Sequence, residues 1–396
     1  MTPVLVRDQV TWAGYATLST WGWFLYAWGG ILPLLRAEQG TSRTVMGLHG
    51  FVMSLGAIVA GLLTVRIVAR VRRRGAVRLG LTLVVAGIGV LCLAGPPLLT
   101  LPAILVAGTG GSIVLNAANP GMSDHHGDAS ATVLAEGNAV AAGVGILAPA
   151  AVGAGVALGL TWRPAALVVV PLALLSWLLL RRVPTDTAAL DSAPALRPAG
   201  ADGSLGLRFW LLATALVTGV GIEFANTAWA ADLLAVRTGM GPATASAGVT
   251  AIVVGLTVGR LVAGRLALRI APRLLLLAAM GLTFAGWLLL WTTTSPLVAV
   301  AGLVVVGLGI SGHYPLGVSL VYAAAGTQGD RATGIISLGI GAFAATTPFV
   351  LGAVADATST HTAFLVVPVL VIAVVGFLVA AGPGPAPDPE PAPPSR

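Results

Sequence analysis

A carboxylate lies inside a long apolar stretch of this sequence, where an ionised side chain is costly. Glu223 follows Arg208 by fifteen residues and precedes Asp232 by nine, so a helix through this stretch would hold it near the centre of a lipid bilayer. An ionisable group at that depth costs about 2.5–3.5 kcal/mol and is a functional candidate by default. We expect Glu223 to bind a substrate or carry a coupling proton; the alternative is a protonated or hydrogen-bonded packing glutamate.

Two amides and a second carboxylate extend this set of candidate groups. Asn226 lies three residues after Glu223, so both side chains can point into one cavity. Glu136 lies eight residues after Asp128, in a shallower position, and Asn138 faces another way. For Glu136, a role in gating or proton exit and an interhelical hydrogen bond both remain open.

Other apolar stretches carry polar groups that either line a cavity or bond neighbouring helices. One polar stripe recurs at i, i+4 and i+7: Ser112, Asn116 and Asn119. Another group lies just before Pro315: Ser311, His313 and Tyr314. A histidine can relay protons near neutral pH. A neutral histidine bonded to a carbonyl is equally compatible with this position.

Aromatic residues offer a second kind of contact. Three of them share one face of the first apolar stretch: Trp21, Phe24 and Trp28. They either pack in the interior or stack against an apolar or ring-shaped substrate. Trp229, three residues after Asn226, is a similar candidate.

These groups stand out because the chain as a whole is apolar. Of its 396 residues, 57% are apolar and 9% are charged, whereas a soluble chain has about 45–50% and about 25%. This composition excludes several soluble domains. All 21 basic residues are arginines in short clusters between apolar stretches, which excludes a nucleic-acid partner. A single cysteine, Cys92, excludes an intramolecular disulfide and a cysteine metal site.

The apolar stretches predict an all-α membrane protein with twelve transmembrane helices in two six-helix halves. The predicted spans are 11–35, 44–66, 77–95, 98–120, 130–158, 162–180, 208–232, 243–266, 272–293, 296–322, 330–353 and 361–381. The halves are residues 1–182 and 208–381. A polar cytoplasmic linker, 183–207, joins them, and a disordered tail, 382–396, contains seven of the 25 prolines.

The arginines predict the orientation and the membrane. With both termini in the cytoplasm, seventeen arginines lie at inner positions and four at outer ones, in agreement with the positive-inside rule. The outer four are Arg36, Arg43, Arg163 and Arg237. The two halves also repeat one pattern, Gly127-Asp128 before span five and Gly329-Asp330 before span eleven. A duplicated six-helix unit in the cytoplasmic membrane is typical of transporters, with the substrate site between the halves.

Two glycine- and arginine-containing segments resemble the loop motif of the major facilitator superfamily. In the first half the matching residues are Gly61, Leu63, Arg66 and Arg70; in the second half they are Gly259-Arg260 and Gly264-Arg265-Leu266. Val65 and Leu268 stand where the family has an acid, so the family's inner charge-pair gate is in doubt. The resemblance covers residues 10–381 and implies a monomeric carrier without cofactors.

Further segments resemble particular branches of that superfamily. Residues 221–224 with Trp229, and residues 136–138, are similar to fucose-permease-like carriers. Family exporters carry a Gly-Pro-containing motif in span five, and a degenerate version is present here: Gly143, Gly145, Ala148-Pro149 and Gly153.

Three other motif matches predict no activity. Residues 307–312 fit a dinucleotide-binding pattern, but deep within a span. Residues 309–312 resemble a membrane-protease nucleophile segment, but His313 is too close to act as its base. Residues 124–128 contain Asp and His ligands without a second ligand cluster, so we expect no metal site there. Since none of the three matches predicts an activity, we do not expect an enzyme.

The resulting hypothesis is a carrier that works by alternating access, with protons coupled through Glu223 and with Glu136 as the second candidate. The sequence has no phosphate-binding loop, which argues against direct use of ATP. Its expected partners are lipid, protons and a small-molecule substrate. Proton-linked efflux of a small, fairly apolar compound is favoured slightly over import of a sugar-like metabolite. A membrane sensor or scaffold without transport is the competing class, and it predicts that Glu223 and Asn226 are packed and dry.

Overall fold

The computed structural model describes residues 6–93, 95–184, 187, 204–267 and 269–383. Most of the predicted linker and nearly all of the predicted tail, with Arg197 and Arg396, lie outside these residues. We refer to residues 6–184 as the N-terminal half and to residues 204–383 as the C-terminal half.

All regular secondary structure in the described residues is helical. The N-terminal half contains α1 (Gln9–Gln39), α2 (Arg43–Leu93), α3 (Pro97–His126), α4 (Ser130–Ala157), α5 (Arg163–Leu167) and α6 (Val169–Arg182). The C-terminal half contains α7 (Leu207–Thr238), α8 (Pro242–Gly248), α9 (Thr250–Leu266), α10 (Pro272–Thr292), α11 (Pro296–Ile310), α12 (His313–Ala325), α13 (Gly329–Ala357), α14 (Thr360–Ala363) and α15 (Val366–Ala380). Ten helical segments of the described residues are long and apolar enough to cross a membrane.

The first helix begins and ends at residues that satisfy its free backbone groups. The Asp8 side chain accepts a hydrogen bond from the Thr11 backbone N–H, and the Thr11 side chain accepts one from the Asp8 N–H, which forms a capping box. The helix ends at Gly40, whose φ of 61° is left-handed. Glycine adopts this conformation without the penalty that a Cβ would add.

The predicted connection between spans two and three contains a sharp break in the structure. Helix α2 extends over Arg43–Leu93, but the backbone at Arg72 is non-helical, with φ of 61° and ψ of 172°, so two helices meet there at a kink. The break lies inside the predicted connection, residues 66–78, while the residues on either side of it are helical. The ten segments do not include α1, and they include α2 as one segment where two spans were predicted. The total of twelve spans therefore stays a prediction.

Four predicted spans, six, eight, ten and twelve, contain a short irregularity in their helical hydrogen bonding, at Val168, Val249, residues 311–312 and residues 364–365. The backbone stays in the right-handed helical region at these positions, and each span counts as one of the ten segments. Large apolar side chains lie exposed around the helices, including Leu93, Leu98 and Leu297. Such a surface is compatible with lipid rather than water.

The two halves approach each other most closely through glycines. A Cβ on Gly29 would lie 2.0 Å from the carbonyl oxygen of Thr227, and a Cβ on Gly47 would lie 2.4 Å from that of Pro348. These positions join α1 to α7 and α2 to α13. They lie towards the end of the molecule where α1 ends and α2 begins, which we call the closed end. Larger residues there would force the backbones apart.

Candidate substrate cavity

A cavity of about 270 Å³ lies between the two halves. Its walls include Trp21, Tyr26 and Trp28 from α1, Met53 and Ser54 from α2, Asn138 from α4, Glu223, Phe224 and Thr227 from α7, Arg260 from α9, and Pro348 from α13. Aromatic and aliphatic groups make up most of this lining, with a few polar groups among them. Ligand sites in proteins commonly have this composition.

Glu223 and Arg260 face each other on the wall of the cavity. The Glu223 Oε1 atom lies 3.8 Å from the Arg260 Nη2 atom, and the side chains are 21% and 40% exposed. This separation is within ion-pair range but longer than a hydrogen bond. Tyr26, on α1 of the other half, lies beside both groups. The two charges therefore neutralise each other while a solute can still reach them.

Arg260 was predicted as part of the inner loop motif, and the structure places its side chain in the cavity instead. Helix α9 continues to Leu266, so Arg260 lies within the helix rather than at its end. The preceding Gly259 allows a close approach, because a Cβ there would lie 2.3 Å from the Ser311 Oγ atom. The available signal in the sequence was a charged residue inside the predicted span 243–266, in the same half as Glu223.

The structure does not bring Asn226 into the cavity with Glu223. Asn226 is fully buried, its Nδ2 atom donates to the Ile222 carbonyl oxygen at 2.8 Å, and its Oδ1 atom has no partner among the described residues. Thr227, four residues after Glu223 rather than three, lines the cavity. Trp229 is fully buried and does not line it either. The i+4 position follows the face of Glu223 more closely than i+3 does.

Asn138 and two of the three predicted aromatic residues do line the cavity. The Asn138 Nδ2 atom donates to the Leu134 carbonyl oxygen at 2.8 Å, which leaves the amide oxygen as an acceptor. Phe24 is fully buried between Trp21 and Trp28, with ring centroids 5.9 and 5.4 Å apart from theirs. Phe24 thus packs between the two tryptophans without lining the cavity itself.

Glu136 lies away from the cavity. Its Oε1 and Oε2 atoms accept hydrogen bonds from Arg7 Nε at 2.7 Å and Arg7 Nη2 at 2.9 Å. This bidentate ion pair holds the segment before α1 against α4. Arg7 lies before α1, so this contact is not the interhelical hydrogen bond that was one alternative, and a role of Glu136 in gating or proton exit stays a prediction.

The polar residues of spans four and ten also lie outside the cavity wall. His313 is buried, with Nδ1 3.1 Å from the Gly219 carbonyl oxygen and Nε2 3.2 Å from the Thr283 Oγ1 atom. Tyr314 is half exposed. The Ser311 hydroxyl donates to the Leu308 carbonyl oxygen. The predicted stripe of span four is divided, with Asn116 exposed and Ser112 and Asn119 partly buried.

The remaining loop-motif residues lie at the surface. Arg66, Arg70 and Arg265 are exposed. A Cβ on Gly61 or Gly264 would meet nothing within 4 Å. These residues therefore face the surroundings of the protein in this conformation.

Two aspartates of the C-terminal half bind the N-terminal half at the closed end. Neither was among the site residues predicted from the sequence. Asp232 is buried and pairs with Arg36 Nη2 at 3.2 Å and Arg43 Nε at 3.1 Å, both from the N-terminal half. The Asp356 carboxylate accepts from the backbone N–H groups of Arg43 at 2.8 Å and Thr44 at 2.7 Å, at the start of α2. A carboxylate there is favoured by the helix dipole.

Comparisons with known proteins agree with this architecture. The sequence model of the Major Facilitator Superfamily matches residues 211–396. No curated protein sequence matches the chain. Among solved structures, an inward-facing, unoccupied bacterial homolog of the human lysosomal transporter Spinster has a TM-score of 0.74 at 14% identity, covering 95% of this chain and 98% of that one.

Two further solved transporters have the same fold. The nucleoside transporter NupG has a TM-score of 0.74 at 14% identity, covering 95% of this chain and 98% of that one. The fucose:proton symporter FucP of E. coli has a TM-score of 0.59 at 18% identity, covering 93% and 98%. The family model and the solved structures confirm the predicted resemblance to the Major Facilitator Superfamily: the chain has the fold of these membrane transporters.

Proposed function

We propose that the protein is a secondary active transporter of a small organic solute, coupled to protons through Glu223. The observation that carries this proposal is the position of the Glu223 carboxylate on the wall of a cavity lined by both halves. Alternating access needs a site that each half contacts. A carboxylate in that site can exchange a proton when the cavity faces either side of the membrane.

In this proposal Arg260, which faces Glu223, makes solute binding depend on the protonation of Glu223. When Glu223 is ionised, Arg260 neutralises it at 3.8 Å, so the site contains no net charge from the pair. When Glu223 is protonated, Arg260 is released and can bind an acceptor group of the solute. Proton binding and solute binding are thereby linked through one side chain, without a cofactor.

The contacts at the closed end are compatible with a rocking motion of the two halves, and they indicate on which side of the membrane the cavity is open. Cytoplasmic termini, as predicted from the arginines, would put the Asp232 and Asp356 contacts on the outer side of the cytoplasmic membrane. The cavity would then open towards the cytoplasm. The breakable ion pairs of Asp232 with Arg36 and Arg43 are suited to an outer gate.

Export of a fairly apolar compound is the direction we favour. Trp21, Trp28 and Phe224 give the cavity a mainly apolar, aromatic wall. Two of the three glycines of the degenerate exporter motif also lie at close contacts, whereas a Cβ on Gly143 would meet nothing within 4 Å. A Cβ on Gly145 would lie 2.1 Å from the Tyr26 ring, and one on Gly153 would lie 2.5 Å from the Ala243 carbonyl oxygen.

Import of a sugar-like solute is the second candidate. The Asn138 amide, the Ser54 hydroxyl and the Glu223–Arg260 pair can bind hydroxyl groups, and tryptophan rings can stack on a sugar face. FucP, which shares the fold, is a fucose:proton symporter. A sensor without transport would have both Glu223 and Asn226 packed. Asn226 is packed, but Glu223 faces a cavity that both halves line, and this position favours a transporter.

Transport by purified protein in liposomes tests this proposal. Under an imposed pH gradient, a panel of apolar organic compounds and of monosaccharides would be followed together with the internal pH. We expect movement of one compound class to be accompanied by proton movement in the opposite direction for export, or in the same direction for import. Solute movement that leaves the internal pH unchanged would contradict proton coupling.

A further inference from the structure

A cluster of three metal-binding side chains lies outside the cavity, at the end of the molecule opposite the closed end. It consists of Asp8, before α1, and His125 and His126, at the end of α3. One ligand atom from each of the three residues lies within 4.8 Å of the other two. From the sequence we expected no metal here, because residues 124–128 had no second ligand cluster. The fold supplies the missing ligand from a residue more than one hundred positions away.

We propose that Asp8, His125 and His126 form a binding site for a divalent transition-metal ion of the zinc type. Two imidazole nitrogens and one carboxylate oxygen are a ligand set that zinc accepts, with water in the fourth position. Two ligands of one zinc ion lie roughly 3.3 Å apart, given bonds of about 2.0–2.2 Å. The atoms of the cluster therefore need to move by about an ångström, within reach of side-chain rotations.

The present contacts already orient the ligands. The Asp8 Oδ2 atom lies 2.5 Å from His125 Nε2, while the Asp8 Oδ1 atom accepts from the Thr11 N–H and hydroxyl, each at 3.0 Å. The Thr11 Oγ1 atom is also 3.0 Å from His126 Nε2. A single threonine thus holds both the carboxylate and one imidazole. Such outer contacts fix the ligands of metal sites.

Charge and access at the cluster also suit a cation. Arg7, next to Asp8, pairs with Glu136 at 2.7 Å, so its charge is neutralised beside the cluster. Asp124, next to His125, pairs with Arg73 Nη1 at 2.6 Å, so the positive charge of Arg73 is compensated near the cluster as well. The His125 and Asp8 side chains are 26% and 39% exposed, so an ion and its water can reach them.

A bound ion would fasten the start of α1 to the end of α3. The two elements now meet through hydrogen bonds between Asp8, Thr11 and the two histidines. Metal–ligand bonds would make that connection stronger and dependent on metal concentration. The site is separate from the cavity, so metal binding can be measured without knowing the transported solute.

Calorimetry with ZnCl₂ on the purified full-length protein, prepared without a polyhistidine tag, tests the proposal. We expect one zinc ion per chain with a Kd of about 10 µM or lower, and a Co²⁺ complex with the visible absorption of a four-coordinate site. Substitution of His125→Ala or His126→Ala should weaken zinc binding at least tenfold. The matched control is His361→Ala, which removes a histidine on α14 that bonds to the Trp291 carbonyl oxygen and should leave zinc binding unchanged.

A further variant, Asp8→Asn, distinguishes the loss of a zinc ligand from the loss of folding. Asp8→Asn keeps a good helix N-cap but removes the charged ligand, so α1 should form while zinc binding weakens. Each variant would be checked by thermal unfolding in the absence of metal. The proposal is overturned if zinc at 100 µM shows no saturable binding, or if a folded His125→Ala/His126→Ala variant binds it as tightly as the unmodified protein.

Discussion

The Glu223 carboxylate on α7 lies 3.8 Å from the Arg260 guanidinium on α9, and both line the cavity between the halves. A charge inside a membrane-spanning segment is costly when its partner is removed, so each residue depends on the other. This pairing gives the C-terminal half a neutral site that a proton can convert into a positively charged one. The predictions below follow from it and from the contacts at the closed end.

Arg260→Gln should impair transport strongly, because Glu223 loses its counter-charge. We expect solute accumulation in liposomes to fall at least tenfold. Arg265→Gln, on the same helix but exposed, is the matched control and should retain most activity. Equal activity of the two variants would show that Arg260 serves only as a surface charge.

Asp232→Asn should loosen the closed end. The substitution breaks the buried ion pairs with Arg36 and Arg43, a change that typically costs about 3–5 kcal/mol. Ser246, buried near this end with its hydroxyl donating to the Gly30 carbonyl oxygen at 3.0 Å, can report the opening as a cysteine in a Cys92→Ala background. Maleimide labelling at position 246 should be faster when Asp232→Asn is added. Unchanged labelling would contradict a gate at Asp232.

Gly29→Ala should destabilise the packing of α1 against α7. The added Cβ would lie 2.0 Å from the Thr227 carbonyl oxygen, which requires backbone movement. Overpacking of this kind costs about 1–3 kcal/mol. Thermal unfolding in detergent should show a lower Tm for Gly29→Ala than for Gly61→Ala, whose Cβ meets nothing within 4 Å. Equal Tm values would mean that the halves do not approach closely at Gly29.

The Glu38–Arg163 ion pair should make stability depend on pH in the acid range. A hydrogen bond from Arg163 lowers the pKa of Glu38; burial opposes this shift, and a hydrogen bond from Trp162 adds to it. Because the folded pKa lies below the unfolded value of about 4.3, the stabilisation is fully present above that pH and is lost as pH falls through the folded pKa.

Thermal unfolding of Glu38→Gln between pH 3 and 7 checks this dependence. The groups are partly exposed, so the variant should be less stable by no more than about 1 kcal/mol at pH 7. The difference from the unmodified protein should shrink as pH is lowered below about 4.3. A difference that stays constant down to pH 3 would mean that Glu38 titrates normally.

The sequence predicted the helical membrane fold and the central carboxylate because both follow from one local property, the scarcity of charge in apolar stretches. It also placed Trp21, Trp28 and Asn138 among the candidates that line the cavity. Contacts between distant segments could not be predicted this way. The Arg43–Asp232 pair joins residues 189 positions apart, and no local pattern specifies which partner a charge meets.

Side-chain direction was the other source of error. Asn226 and Glu223 are three residues apart, a spacing that allows a shared face, yet tertiary packing turned Asn226 into the protein and left Thr227 beside Glu223. Arg260 was assigned to the inner loop motif by its resemblance to the family, although the predicted span 243–266 already extended past it. Both cases show that depth along a span is easier to predict than rotation about its axis.

Glu223→Gln tests the central claim most directly. The amide keeps the shape of the side chain but cannot exchange a proton, so liposomes with an imposed pH gradient should show no solute accumulation above equilibrium. Exchange of labelled for unlabelled solute, which needs no proton movement, should continue. Proton coupling through Glu223 requires that accumulation is lost while exchange is kept. Accumulation by Glu223→Gln equal to that of the unmodified protein would mean that Glu223 does not carry the coupling proton.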